Sequence, residues 1–214
     1  MQTDLSLKYL VHVPSRRPDS EEMPLVVVMH GRGADMHDLA DLAPMMDPPR
    51  GCRFVFPNAP RAWEAAPGMT FGWTWFDGWP PERNSVAKSR ETLLRFVDEA
   101  KARYPTSQVI IAGFSQGGMM ALEVGLRSDV AGIVVLSGGL YEEDLPTLSP
   151  RRVFLAHGTF DDVVPVAYAR RARLVLEGHG FDVEYHEYPM GHQVVGEEID
   201  AARAFIGRCL AAAR

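Results

Sequence analysis

Residues 112–118 read AGFSQGG and contain the pattern GxSxG, with Ser115 at its centre. An apolar run at 108–112 precedes them and is typical of a buried strand, whereas residues 119–126 favour a helix. A serine between a strand and a helix occupies a tight turn, and its neighbours must be small because larger side chains would clash there. The pattern therefore predicts an exposed, reactive Ser115 and a backbone NH of Gln116 that can hold an oxyanion. The flanking strand and helix disfavour the alternative, a glycine-rich turn that carries a serine by chance.

The composition is that of an ordinary globular protein, with 214 residues of which 46% are hydrophobic and 23% charged. A formal net charge of −6 argues against nucleic acid or an anionic membrane surface as the main partner. No apolar run approaches the roughly 18 residues of a spanning helix, and residues 1–14 lack the core of a signal peptide. We therefore expect a cytoplasmic protein without stable membrane insertion, in which Cys52 and Cys209 are buried free thiols.

Predicted strands and helices alternate along the chain. Besides the strand before Ser115, the pattern of apolar residues predicts strands at 5–13, 24–29, 53–56, 132–136, 153–156 and 181–188. Besides the helix after Ser115, helices are predicted at 36–46, 86–104, 166–179 and 197–213, and a polar loop at 140–150. Such alternation implies parallel crossovers, so we expect one α/β domain over 1–214, with a doubly wound, mostly parallel sheet and helices on both faces.

The segment 58–85 is too long and too rich in Pro and Gly to be a plain connection. It holds all four tryptophans of the chain, Trp63, Trp73, Trp75 and Trp79. A loop cannot bury so many rings within itself, so we expect them to pack on the body of the protein or to line a pocket. The preferred hypothesis is an aromatic loop next to the active site, with Trp73, Trp75 and Phe76 in contact with substrate. The alternative is a structural cap over the sheet edge.

A serine hydroxyl attacks a carbonyl only when a base takes its proton, and a histidine base needs a carboxylate to orient it. Reactive groups of a doubly wound sheet collect after the carboxyl ends of its strands. Candidates follow predicted strands in the order Ser115, then Asp161 or Asp162, then His192. This order of Ser, Asp and His is the one found in α/β-hydrolases.

The glycine-rich stretch 30–35 (HGRGAD) comes directly after the predicted strand 24–29. Glycines at such a place let the backbone turn sharply and point NH groups at a ligand, so this stretch is predicted to supply a second oxyanion donor. His30 and His157 stand at strand ends before a glycine, and we expect them to shape their loops rather than to act as bases.

Four motifs carry a resemblance to a known family: HGRGAD at 30–35, GFSQGG at 113–118, HGTFDDVVP at 157–165 and GHQVVGEEI at 191–199. In this order and at these separations they resemble the phospholipase/carboxylesterase family of α/β-hydrolases, which includes the acyl-protein thioesterases. The resemblance runs from about 24 to 206. It implies that Asp161, not Asp162, is the acid, and that Arg32 and Gln116 provide the oxyanion NH groups. It is also compatible with a homodimer.

The chemistry expected from these residues is hydrolysis of a small-molecule ester through an acyl-serine intermediate, which requires neither a metal nor an organic cofactor. The density of aromatic residues favours short to medium acyl groups, because bulky rings shorten a pocket. One alternative is a lysophospholipase or acyl-protein thioesterase that acts on long acyl chains. An alternative of another class is a ligand receptor built on a hydrolase fold.

Overall fold

The computed structural model describes residues 1–14, 17–18, 20–66, 68–141, 145 and 151–212, so most of the loop predicted at 140–150 lies outside the described residues. Seven strands form the central sheet: β1 (Tyr9–His12), β2 (Leu25–Met29), β3 (Arg53–Pro57), β6 (Val109–Phe114), β7 (Gly132–Leu136), β8 (Arg152–Gly158) and β9 (Asp182–Tyr188). Two further strands, β4 (Arg61–Ala66) and β5 (Met69–Thr74), pair as a separate hairpin.

The sheet has the order β1-β3-β2-β6-β7-β8-β9. Only β1 is antiparallel to its neighbour, and every other pair in the sheet is parallel. Every residue of β2, β3 and β7 is buried, which explains their continuous apolar runs, because both faces of a parallel sheet are covered by helices. The predicted doubly wound α/β-hydrolase architecture is confirmed.

Helices cover both faces of this sheet. They are α1 (Ala43–Met46), α2 (Arg83–Arg103), α3 (Gln116–Gly125), α4 (Ala167–Gly178) and α5 (Gly196–Ala212). Successive residues of a strand point to opposite faces. Val27 of β2 accordingly lies in the core cluster that holds Leu93 of α2. Its neighbour Val26 lies in the second cluster, with Phe205 of α5. Cys52 and Cys209 belong to that second cluster as buried free thiols, as predicted.

Two segments differ from the sequence-based expectation. The helix predicted at 36–46 is only a 3-10 turn at Ala40–Leu42 followed by the short α1, because Pro44 has no NH for a continuous helix. The segment 58–85 is not merely a loop, since it contains the β4–β5 hairpin. Gly68 turns between the two strands with a φ of 77°. Alternation of polar and apolar residues around this glycine was the signal that could have identified the hairpin.

The hairpin is tied to the loop that follows β2. Gly33 N donates to Trp73 O and Trp73 N donates to Ala34 O, both at 2.8 Å. A Cβ atom at Gly72 would lie 2.0 Å from Gly33 O, so the close approach of the two segments requires a glycine. The aromatic segment is therefore anchored directly to the glycine-rich stretch 30–35.

Candidate active site

Ser115 sits between β6 and α3 with a φ of 56° and a ψ of −120°, a conformation that L residues adopt only under strain. Small neighbours make this turn feasible. A Cβ atom at Gly113 would lie 2.2 Å from Gly117 O, and one at Gly117 would lie 2.1 Å from Met29 O. Because these contacts are to backbone atoms, no larger residue fits at either position. The tight turn expected from the GxSxG pattern is thus present.

Side chains from three separate loops meet at this turn. Ser115 Oγ lies 2.9 Å from His192 Nε2, and His192 Nδ1 lies 2.7 Å from Asp161 Oδ2. A carboxylate only accepts hydrogen bonds, so His192 donates from Nδ1 and its Nε2 accepts from the serine hydroxyl. The ring of Phe114 packs against the imidazole, with 4.8 Å between the ring centroids. This arrangement can move a proton from the serine to the histidine.

The structure distinguishes the two adjacent aspartates. Asp161 is buried, and its Oδ1 accepts hydrogen bonds from Val163 N at 3.0 Å and from Val164 N at 2.8 Å. Asp162 is exposed to solvent. His157, also buried, places Nε2 2.7 Å from Val164 O and 3.3 Å from Asp161 Oδ2. Burial lowers the pKa of His157, so this ring is neutral and holds the loop that carries Asp161.

Ser115 and His192 open into a cavity of about 460 Å³. Arg32 and Gln116 line the same cavity. Gln116 is the first residue of α3, where a backbone NH has no acceptor within its own helix and carries the positive end of the helix dipole. The apolar lining of the cavity comes from Phe76, Trp79, Phe114, Met119, Val163 and Val164.

The three aromatic residues predicted to contact substrate have different positions. Phe76 borders the cavity, but its side chain is only 1% exposed and belongs to the core. Trp75 is fully buried in the core, where its indole NH donates to His30 O at 2.9 Å. Trp73 lines a separate cavity together with residues 6–8 and 58–60. Neither Trp73 nor Trp75 lines the cavity that holds Ser115. Trp75 is held in the core because a buried indole must satisfy its NH at a carbonyl. Contact of either ring with substrate stays a prediction. Trp79, which the sequence reasoning missed, lines the cavity instead.

His30 is buried behind the cavity. Its Nδ1 donates to Gly31 O at 2.7 Å, and its Nε2 accepts from Ala59 N at 3.1 Å. Burial lowers the pKa of His30 to about 4, so the ring is neutral near pH 7. With both nitrogens engaged in backbone hydrogen bonds, His30 shapes its loop as predicted.

A model of the phospholipase/carboxylesterase family matches residues 14–210. The chain belongs to this family. It is similar to acyl-protein thioesterase 1 of Mycosarcoma maydis, with 31% identity over 217 residues that cover 86% of this chain and 90% of the relative. It is also similar to lysophospholipase-like protein 1 of Mus musculus, with 29% identity and 72% of each chain covered. The crystal structure of esterase PE8 superposes with a TM-score of 0.82 and 30% identity, over 97% of this chain and 100% of that one.

As a member of the phospholipase/carboxylesterase family, the chain is a serine hydrolase that acts on ester bonds. Within the described ranges, no helix is both long and apolar enough to cross a bilayer. In the same residues, no group of three or more His, Cys, Asp and Glu side chains is arranged to hold a metal ion.

Proposed function

We propose that the chain is a serine carboxylesterase that hydrolyses short to medium acyl esters through an acyl-serine intermediate. The observation that carries the proposal is the continuous hydrogen-bonded series from Ser115 through His192 to Asp161, which opens into the 460 Å³ cavity. In this proposal Ser115 is the nucleophile, His192 the general base and acid, and Asp161 the residue that orients His192. The backbone NH groups of Arg32 and Gln116 are the oxyanion donors.

The reaction has two steps of the same kind. Ser115 Oγ bonds to the acyl carbon while its proton passes to His192 Nε2, and the carbonyl electron pair moves to the oxygen. The buried carboxylate of Asp161 stabilises the imidazolium that forms. When the tetrahedral intermediate collapses, the ester C–O bond breaks and His192 protonates the departing alcohol. A water molecule then repeats the sequence on the acyl-serine, which releases the acid and frees Ser115.

The size and walls of the cavity support short to medium acyl groups. Its volume lies in the lower part of the roughly 300 to 1,000 Å³ range of small-molecule sites. Trp79 forms an aromatic wall of the cavity, and its ring packs against Tyr168 of α4 with 5.4 Å between centroids. A wall supported in this way limits the length of an acyl chain that enters beside Ser115.

A second candidate is hydrolysis of long-chain acyl esters or thioesters. The names of two relatives, acyl-protein thioesterase 1 and lysophospholipase-like protein 1, favour it as strongly as they favour a short-chain esterase. Exposed apolar side chains near the catalytic residues favour it as well. Val163, at the cavity, is 58% exposed, and Phe160, beside Asp161 in sequence, is 72% exposed. Such side chains can hold the part of a long acyl chain that extends beyond the cavity.

Steady-state hydrolysis of p-nitrophenyl esters from acetyl to dodecanoyl tests the proposal, with Ser115→Ala as the control. We expect many turnovers for the wild type, none above background for Ser115→Ala, and the highest kcat/KM between butanoyl and octanoyl. A maximum at dodecanoyl would support the long-chain candidate instead. A single stoichiometric burst without turnover, or equal rates for the two proteins, would contradict the esterase mechanism and favour a receptor role.

A further inference from the structure

The side chain of Gln116 forms hydrogen bonds with residues 74–76 of the aromatic segment. Its Oε1 accepts from Trp75 N at 2.8 Å and from Thr74 Oγ1 at 3.1 Å, and its Nε2 donates to Phe76 O at 2.7 Å. Gln116 is 4% exposed. Both ends of the carboxamide are therefore satisfied in a buried site, which holds the side chain in one orientation. The residue whose backbone NH is a candidate oxyanion donor is thus fastened to residues 74–76.

Trp75 fastens the same segment to the other candidate donor. Its indole NH donates to the carbonyl of His30, two residues before Arg32, and its ring lies 5.3 Å from the His30 ring. One residue earlier than Thr74, the backbone of Trp73 exchanges hydrogen bonds with Gly33 and Ala34. The stretch that carries Arg32 is therefore held on both sides by residues 73–75.

These contacts form one bracket, which we define as the side chains of Thr74, Trp75 and Gln116 together with the backbone of residues 75–76. It connects the end of β2 with the start of α3 through hydrogen bonds of 2.7 to 3.1 Å, all in the buried interior. Stabilisation of an oxyanion requires two donors about 2.7 to 3.1 Å from one point, held before the reaction begins. Direct hydrogen bonds between neighbouring strands do not fix this spacing, because Arg32 lies in the loop after β2 and Gln116 begins α3, both beyond the strand ends.

We infer that Trp75 and the Gln116 carboxamide are positioning residues that set the distance between the backbone NH groups of Arg32 and Gln116. This inference rests on the proposed function and assigns a positioning role to the buried Trp75. Trp75 acts through the His30 carbonyl, and the carboxamide acts through the Trp75 and Phe76 backbone. Neither side chain contacts the reacting atoms in this role. The two side chains contribute when negative charge develops on the substrate oxygen, and not when the neutral ester binds.

Two variants remove parts of the bracket while keeping both backbone donors. Trp75→Phe removes the indole NH, and Gln116→Met removes all three side-chain hydrogen bonds at similar length. Gln108→Met is the matched control for the loss of a buried carboxamide, because Gln108 directly precedes β6, at the opposite end of that strand from Ser115, where its Nε2 donates to Leu210 O at 3.2 Å. For each bracket variant we expect kcat to fall about tenfold to a hundredfold with KM within about twofold, since small misplacements of catalytic groups are costly. Gln108→Met is expected to keep the wild-type kcat.

An alkyl trifluoromethyl ketone provides a readout that loss of packing alone would not change. Ser115 Oγ adds to its carbonyl carbon, the proton passes to His192, and the carbonyl electron pair becomes an oxyanion between the two donors. We expect the inhibition constant of this ketone to rise by the same factor by which kcat falls. Thermal unfolding of each variant, measured alongside, gives the fraction that is folded at the assay temperature.

Wild-type kcat in both folded bracket variants, or a lower kcat with unchanged affinity for the ketone, would overturn the inference. If Trp75→Phe does not fold, Gln116→Met decides alone. Turnover by the wild type and none by Ser115→Ala keeps the proposed function even when the bracket variants behave as wild type. Absence of turnover in the wild type would instead remove the proposed function, and the inference with it.

Discussion

Asp161→Asn is expected to lower kcat by about four orders of magnitude while KM stays nearly constant. The two oxygens of Asp161 have different partners, which decides how an amide would sit. Oδ1 accepts from the NH groups of Val163 and Val164, so the asparagine carbonyl must take this place. The NH₂ group then occupies the Oδ2 position, 2.7 Å from His192 Nδ1 and 3.3 Å from His157 Nε2.

The magnitude follows from the tautomer that this exchange imposes. An NH₂ group donates, so His192 would have to accept at Nδ1 and carry its proton on Nε2, opposite Ser115. In that form the imidazole cannot take the serine proton. Loss of the correct tautomer in a Ser-His-Asp triad costs about 10⁴ in kcat, which corresponds to about 5.4 kcal/mol of transition-state stabilisation. Binding of the neutral ester does not use this proton, so KM is expected to stay nearly constant.

The assay is the steady-state rate with p-nitrophenyl butanoate at pH 7.5, with the Ser115→Ala rate subtracted as background. Asp162→Asn is the matched control, because it makes the same chemical change one residue away at a side chain exposed to solvent. We expect its kcat to stay within about twofold of the wild type. Equal losses in the two variants, or more than a tenth of the wild-type kcat in Asp161→Asn, would refute the reasoning.

Three other perturbations test separate parts of the structure. Trp79→Ala, compared with Trp73→Ala, is expected to move the highest kcat/KM to longer acyl groups, because Trp79 lines the cavity and Trp73 does not. Gly117→Ala is expected to lose more than about 3 kcal/mol of unfolding free energy in urea titrations, because its Cβ would lie 2.1 Å from a backbone carbonyl of β2. Gly178→Ala has nothing within 4 Å of its Cβ and is the control. Burial raises the pKa of Glu198 to about 8. Its stabilising contribution is therefore complete below the usual glutamate pKa and is lost as the pH rises towards 8. Between pH 5 and 8, the Tm of the wild type is expected to fall by about 3 to 5 °C per pH unit because of Glu198. In Glu198→Gln this fall is expected to be absent.

Each of these has an outcome that contradicts it. An acyl-length profile in Trp79→Ala that matches the wild type would mean that this ring does not limit the cavity. Similar unfolding free energies for Gly117→Ala and Gly178→Ala would show that the tight turn at Ser115 tolerates a methyl group. Parallel curves of Tm against pH for the wild type and Glu198→Gln would show that Glu198 does not remain protonated in the folded protein.

The sequence predicted the central sheet well because its strands are governed by local pattern. A strand buried on both faces is apolar throughout, and this signal is readable without knowledge of its neighbours. The hairpin could have been identified from local alternation around Gly68, but its position on the protein could not. That position depends on Gly72 approaching Gly33, a contact between residues far apart in the chain.

Some residues of the candidate site could likewise be identified from local sequence, whereas others were distinguished only by the folded structure. Ser115 and His192 could be proposed from motifs that follow predicted strands. Spacing left Asp161 and Asp162 equivalent, and only the resemblance to a family separated them at that stage. In the structure they differ because one carboxylate accepts two backbone NH groups and faces His192, whereas the other points into solvent.

By itself the sequence determined the fold class, the position of the strained serine and the family to which the chain belongs. These depend on periodicity, on glycines at close contacts and on ordered motifs, all of which can be read from the sequence. Only the tertiary structure decided which tryptophan lines the cavity and which is buried behind it. Trp75 and Trp79 are both apolar with one NH donor. Their places follow from whether a carbonyl such as that of His30 is within reach of the indole, and that distance exists only once the chain has folded.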